Sequence, residues 1–126
     1  MKLTGFILEH HSDIGTPLKE YTDNSANYLP DREKVIKYLK SGVVIFSWMG
    51  YVNDIDTGEP LVPDSYMTDG FYVWPNYLIH YYEKYPRFLL DTEFTDSMIK
   101  GKFKIRPSKI DIDSYCNSFL ELTGWS

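Results

Sequence analysis

Residues 67–85 read Met67-Thr68-Asp69-Gly70-Phe71-Tyr72-Val73-Trp74-Pro75-Asn76-Tyr77-Leu78-Ile79-His80-Tyr81-Tyr82-Glu83-Lys84-Tyr85, and their pattern decides the fold class. Asp69-Gly70 has turn chemistry, because glycine takes the positive φ of a tight reversal at little cost. Residues 71–74 are aromatic and β-branched, which favours an extended, half-buried backbone. Pro75 lacks the N–H that a ladder needs, and its fixed φ suits the first turn of a helix. Beyond it Leu78, Tyr81, Tyr82 and Tyr85 recur at helical spacing, so one helical face is apolar and aromatic. Turn, strand and helix follow with almost no linker, which puts this stretch at the hinge of a core rather than in a catalytic motif.

Working upstream, Val43-Val44-Ile45-Phe46-Ser47-Trp48-Met49 is the clearest strand. Its near-continuous apolarity predicts a central strand covered on both faces. Gly50 marks a bulge or a point of close packing. With a further strand from Leu61-Val62, the spacing predicts a three-stranded antiparallel meander over 43–52, 61–67 and 70–74. Before it, Asp31 after Pro30 is a good N-cap for a helix whose buried stripe is Val35, Ile36 and Leu39. Ser41-Gly42 closes that helix, with the glycine in a left-handed cap.

Downstream, Pro86 ends the tyrosine-rich helix. A helix follows around 91–100, with Leu90, Phe94 and Met98 inward and Gly101 as its stop. Lys102-Phe103-Lys104-Ile105-Arg106 alternates like an exposed edge strand, which Pro107 interrupts. A last helix around 113–122 turns Tyr115, Phe119 and Leu122 inward, with Cys116 in a buried structural role. Residues 1–30 are the least periodic and read as an irregular arm on the surface, with Leu18 and Tyr21 as anchors. The whole chain, 1–126, reads as one α+β domain: the meander packed with about four helices.

Composition bounds the function. The chain is 43% hydrophobic and 25% charged, as globular domains are, but 17% aromatic with 11 Tyr, which suits cores and partner-binding surfaces alike. The net charge of -5 argues against a general nucleic-acid binder, which needs basic density to release counterions. It is compatible with a basic protein partner. A single cysteine, Cys116, implies no disulfide framework. Neither a secretion signal at the start nor a membrane-spanning window is visible, so a cytoplasmic protein is expected.

Catalytic and metal chemistry find little support. Residues 53–59 offer Asn53, Asp54, Asp56 and Glu59 as hard oxygen ligands, but without the spacing of an EF-hand, and such residues are common in turns. Adjacent His10 and His11 point to opposite faces of any strand, so no two-histidine metal site is expected from them. His80 falls opposite the apolar helical face and is expected to be exposed. There is no Gly-x-Ser-x-Gly elbow and no glycine-rich phosphate loop. No catalytic residue, metal or cofactor is assigned. Trp48, Trp74 and the tyrosines of 77–85 read as core. The remaining signal is acidic: Asp54, Asp56, Glu59, Asp64 and Asp69 lie on or beside sheet loops with Tyr66 as an aromatic anchor. That is a candidate face for a basic protein, with a merely solubilising loop as the plain alternative.

Three stretches carry a resemblance: Lys37-Tyr38-Leu39-Lys40-Ser41-Gly42, Asp54-Ile55-Asp56-Thr57-Gly58-Glu59, and Thr68-Asp69-Gly70-Phe71-Tyr72-Val73-Trp74-Pro75 continuing to Tyr85. They resemble small bacterial immunity proteins of polymorphic-toxin and contact-dependent growth inhibition systems, over roughly residues 30–100. The Pro86-Arg87-Phe88-Leu89-Leu90 segment rearranges the continuation usual in that family. The resemblance implies a protein that binds and neutralises a cognate toxin domain, often a nuclease. It leaves the toxin unnamed. Two other readings stand beside it: a small metal-dependent hydrolase centred on His80, and an adaptor or scaffold that dimerises through 102–106.

Overall fold

The computed structural model describes residues 1–22 and 31–125. It is an α+β fold with a four-stranded sheet in the order β1-β4-β3-β2. Three strands form the expected antiparallel meander: β2 (Val43–Asn53), β3 (Pro60–Thr68) and β4 (Tyr72–Pro75). The fourth corrects the expectation. β1 (Lys2–Leu3) pairs in parallel with β4, Lys2 opposite Tyr72 and Leu3 opposite Val73, so the sheet is mixed. All four residues of β4 are buried, and its second edge needs partners for its polar backbone. The N–H groups of Lys2 and Thr4 supply them, donating to the carbonyls of Phe71 and Val73 at 3.0 Å. A two-residue strand carries no periodicity to read in advance.

Helices cover both faces. α2 (Arg32–Lys40), α3 (Tyr77–Lys84) and α4 (Thr92–Lys100) enclose a large core around Trp74, with Tyr77, Leu78, Tyr81 and Phe94. α5 (Ile112–Thr123) covers the other face, where Phe119 packs with Phe6, Ile45, Tyr66 and Val73. The alternation of β4 sorts the side chains: Val73 joins the α5 cluster while Tyr72 and Trp74 join the other. The tyrosine-rich helix buries the face its spacing predicts, Leu78 and Tyr81 being fully buried. Pro75 ends β4 as its last residue, and Asn76 is the N-cap of α3.

The arm is not a surface appendage. Phe6 and Ile7 are buried, Ile7 bridges Thr16 in parallel, and α1 (Leu18–Thr22) brings Tyr21 to donate to the Phe6 carbonyl at 3.0 Å. The part of the expected arm over 23–30 lies outside the described residues. Four further expectations shift. β2 is at the sheet edge, not its centre. Gly42 serves close packing rather than a left-handed cap: a Cβ there meets Trp74 Cζ2 at 2.6 Å. Residues 102–106 form no strand, because Lys102 and Phe103 take φ of 55° and 56° and reverse the chain. Their alternation is met instead by packing Phe103 and Ile105, half-buried, against the core. Leu122, expected inward, is exposed on α5.

Candidate functional site

β2 carries four exposed large hydrophobic side chains, Val44, Trp48, Met49 and Tyr51. Ser47 pairs with Ser65 and Tyr51 with Pro63, so residues 48–50 of β2 face Asp64 alone on β3. Such a bulge bends the strand and re-aims its side chains. Gly50 closes it at φ 102°, a conformation that other residues adopt only at a cost. Trp48 is 44% exposed, Tyr51 67% and Met49 completely. A bulge also blunts an edge against pairing with a foreign strand, which leaves these side chains, rather than the backbone, as the means of contact.

Trp48 borders an open pocket of about 260 Å³ together with His11, Asp13, Asp64, Tyr66 and Trp125. Its floor is a connected polar chain. Tyr66 O–H donates to Asp64 Oδ1 at 2.7 Å, so the contact of Tyr66 Oη with His11 Nε2, 2.8 Å, has the imidazole donating. Nδ1 of His11 is then the acceptor for the Tyr77 O–H at 2.8 Å, and Tyr77 Oη accepts the Ile7 N–H at 2.9 Å. Every group is satisfied with His11 neutral. Protonation forces Nδ1 to donate and strands the buried Tyr77 proton. Burial accordingly lowers the pKa of His11, and also of His10, whose Nε2 lies 2.8 Å from Tyr81 Oη. Burial raises the Tyr66 and Tyr77 hydroxyls well above the ordinary tyrosine value, and Tyr81 to about 12. Trp125 stacks on His11 at 5.2 Å and donates Nε1–H to Asp13 at 2.9 Å. Hydrogen bonds and ring stacking thus tie the aromatic floor together.

The sequence-predicted site residues divide. Asp54 is buried: Oδ1 accepts the N–H groups of Asp56 and Thr57 at 2.7 and 3.1 Å, and Oδ2 meets His80 Nε2 at 2.7 Å and Lys84 Nζ at 3.2 Å. Burial opposes its ionisation, but these hydrogen bonds outweigh burial and hold the carboxyl well below the usual range. Asp69 is buried too, accepting from Tyr38 O–H and from the N–H groups of Phe71 and Tyr72. Tyr66 is 1% exposed. These three side chains shape loops and core and do not stand at the surface. Asp56 and Glu59 are exposed and Asp64 half-buried, so they keep the acidic edge of the β2–β3 ribbon. Asp56 is tied to Lys84 Nζ at 2.8 Å and Tyr85 O–H at 2.7 Å; the Lys84 hydrogen bond, then that of Tyr85, lowers its pKa.

His80, expected to be exposed, lines an open groove of about 620 Å³ with Lys40, Ile79 and Lys84. Its bond to Asp54 clamps the 53–59 loop to α3. Among the described residues, no group of three or more His, Cys, Asp or Glu is placed to hold a metal ion, and no helix is long and apolar enough to cross a membrane. Trp48, expected in the core, stands half-exposed outside it, and Gly50, a glycine inside an apolar run, is the sequence signal for that departure. No protein-family profile matches the chain, and neither the curated proteins nor the solved structures yield a significant match.

Proposed function

We propose that this chain is a protein-binding module that neutralises a cognate bacterial toxin domain, docking it through the β2 bulge. The observation that carries the reading is the run Trp48-Met49-Gly50-Tyr51, presented outward on an edge strand. Trp, Tyr and Met are the residues enriched at the energetic centres of interfaces, with polar groups excluding water around them. Here the surround is acidic: Asp13 and Asp64 border the same pocket as Trp48, and Asp56 and Glu59 lie at the end of the ribbon. Such a rim steers a basic partner into register. A nuclease toxin, whose cleft is basic in order to hold nucleic acid, has the complementary charge, and the resemblance to immunity proteins supplies that partner class. The site of action on this reading is the cytoplasm.

The test compares tagged wild-type protein with Met49→Asp and Trp48→Ser in pull-downs from the native bacterium, read by mass spectrometry. Wild type retrieves the C-terminal fragment of a large secreted protein, and co-expression with that fragment restores growth. Both variants stay folded and lose retrieval and protection. Equal retrieval by wild type and Met49→Asp removes the bulge from the interface.

A further inference from the structure

We infer that a second surface, the groove between the β3–β4 turn, the end of α4 and the segment leading into α5, binds a phosphate-rich small anion, a nucleoside triphosphate being the form its rim suits. The groove has a volume of about 720 Å³ and shares no residue with the β2 surface, a size ordinary for small-ligand sites. It is lined by Lys100, Lys102, Lys104, Arg106 and Lys109. Five of the chain's 13 Lys and Arg thus fall within ten residues, in a protein whose net charge is -5. Among the described residues, no ion pair involves any of the five. Asp69, the carboxylate in the lining, is already occupied by Tyr38, Phe71 and Tyr72.

The backbone adds a second observation. α4 ends in a Schellman motif: Phe103 N–H donates to the Met98 carbonyl at 2.8 Å and Lys102 N–H to that of Ile99 at 3.0 Å. The left-handed position of this motif is ordinarily glycine, yet it holds Lys102 at φ 55°, although Gly101 is adjacent. A lysine is strained there; Phe103 beside it takes φ 56° and is held by packing on the core, whereas exposed Lys102 has no such anchor, and strained positions of this kind cluster at ligand sites. Reversal of the chain at this point brings Lys102 and Lys104 to the same concavity as Arg106 and Lys109.

Convergence selects the ligand. An extended acidic peptide spaces its charges by about 3.3 Å per residue along a line, whereas a triphosphate delivers several charges to one place, where Arg and Lys hold phosphate oxygens best. At the mouth Phe71 is 69% exposed, and Tyr115 is fixed by its O–H bond to the Gly70 carbonyl at 3.0 Å. An exposed aromatic ring beside a phosphate site offers a base a surface to stack on.

Calorimetric titration of the full chain with inorganic triphosphate, ATP and adenosine, at low and high salt, tests this. Triphosphate is expected to bind saturably at one site and to weaken with salt. Lys104→Ala combined with Arg106→Ala weakens it about tenfold or more. Lys102→Gly also weakens it, while melting at the same or a higher temperature, which separates lost charge from lost fold. Lys37→Ala removes the same charge on α2 and leaves binding unchanged. ATP binds more tightly than triphosphate, and Phe71→Ala removes that advantage. The absence of saturable binding by triphosphate and ATP at millimolar concentration, or equal weakening by Lys37→Ala, overturns the site. Equal affinity for ATP and triphosphate overturns the nucleotide form.

Discussion

Replacing Asp69 with alanine distinguishes a structural carboxylate from a partner contact. Its Oδ1 accepts two backbone N–H groups at 2.8 Å and its Oδ2 accepts the Tyr38 O–H at 2.5 Å. Phe71 is exposed, so its N–H turns to water in the variant, but Tyr38 and Tyr72 are buried and lose their acceptor. A buried donor left unpaired costs about 1–3 kcal/mol. Two of them place the loss near 4 kcal/mol, a large share of the roughly 5–15 kcal/mol that holds a domain together. For a chain of this length that is a fall in melting temperature of about 15 °C. Tyr38→Phe removes one donor and leaves a carboxylate oxygen bare, for a loss of about 1.5–3 kcal/mol. Glu59→Ala, exposed at the ribbon end, changes stability by less than about 0.5 kcal/mol. Urea unfolding followed by tryptophan fluorescence measures all three. If Asp69→Ala unfolds with the same midpoint as Glu59→Ala, the buried-acceptor reasoning is wrong.

Two other perturbations address the arm. Because burial lowers the pKa of His10 and His11 in the folded chain, the unfolded chain takes up those protons first, at the ordinary value near 6.5. Their contribution is whole above that pH and declines as pH falls below it, so urea midpoints drop between pH 7.5 and 5.5; a flat profile refutes the network. Asp54 acts in a separate window, since its depressed carboxyl gives stability that is lost only as pH falls below about 3.9. Gly5→Ala places a Cβ 2.4 Å from Leu78 Cδ2 at φ 72°. Left-handed strain and overpacking together cost about 2–5 kcal/mol. Gly50→Ala, with nothing within 4 Å of the added Cβ, carries the strain alone and loses about 1–2 kcal/mol. Equal losses at the two glycines in thermal unfolding rule out the packing argument.

Where local chemistry decides structure, the sequence was readable. The Asp69-Gly70 turn, the strand into Pro75, the Asp31 cap, which accepts the Lys34 N–H at 3.3 Å, and the Leu78 and Tyr81 face all follow from neighbours within one or two turns. Features set by distant partners were not. β1 exists because β4 has an open edge. β2 is apolar for two different reasons, with Ile45 facing α5 and Met49 facing solvent, and a hydropathy run does not distinguish them. The candidate acids failed in part for the same reason. Asp54 and Asp69 are polar turn residues by sequence, and only the packing of His80 and Tyr38 against them shows that they point inward. His11 gave no signal, because its partners Tyr66 and Tyr77 lie far along the chain and meet it only in the folded state.

The pairing of Lys2 with Tyr72 also has a consequence in time. During synthesis residues 1–7 leave the ribosome well before the strand that receives them. The β2–β3–β4 meander closes through short connections, but the first strand must wait for it, and loop closure over such a span is slow compared with local pairing. Phe6 and Ile7 are thus exposed until β4 and α3 emerge. The nascent chain passes through a stage in which a nearly finished sheet lacks one edge and the apolar residues around Phe6 lack their groove, and that stage is where misassembly between chains competes with correct docking.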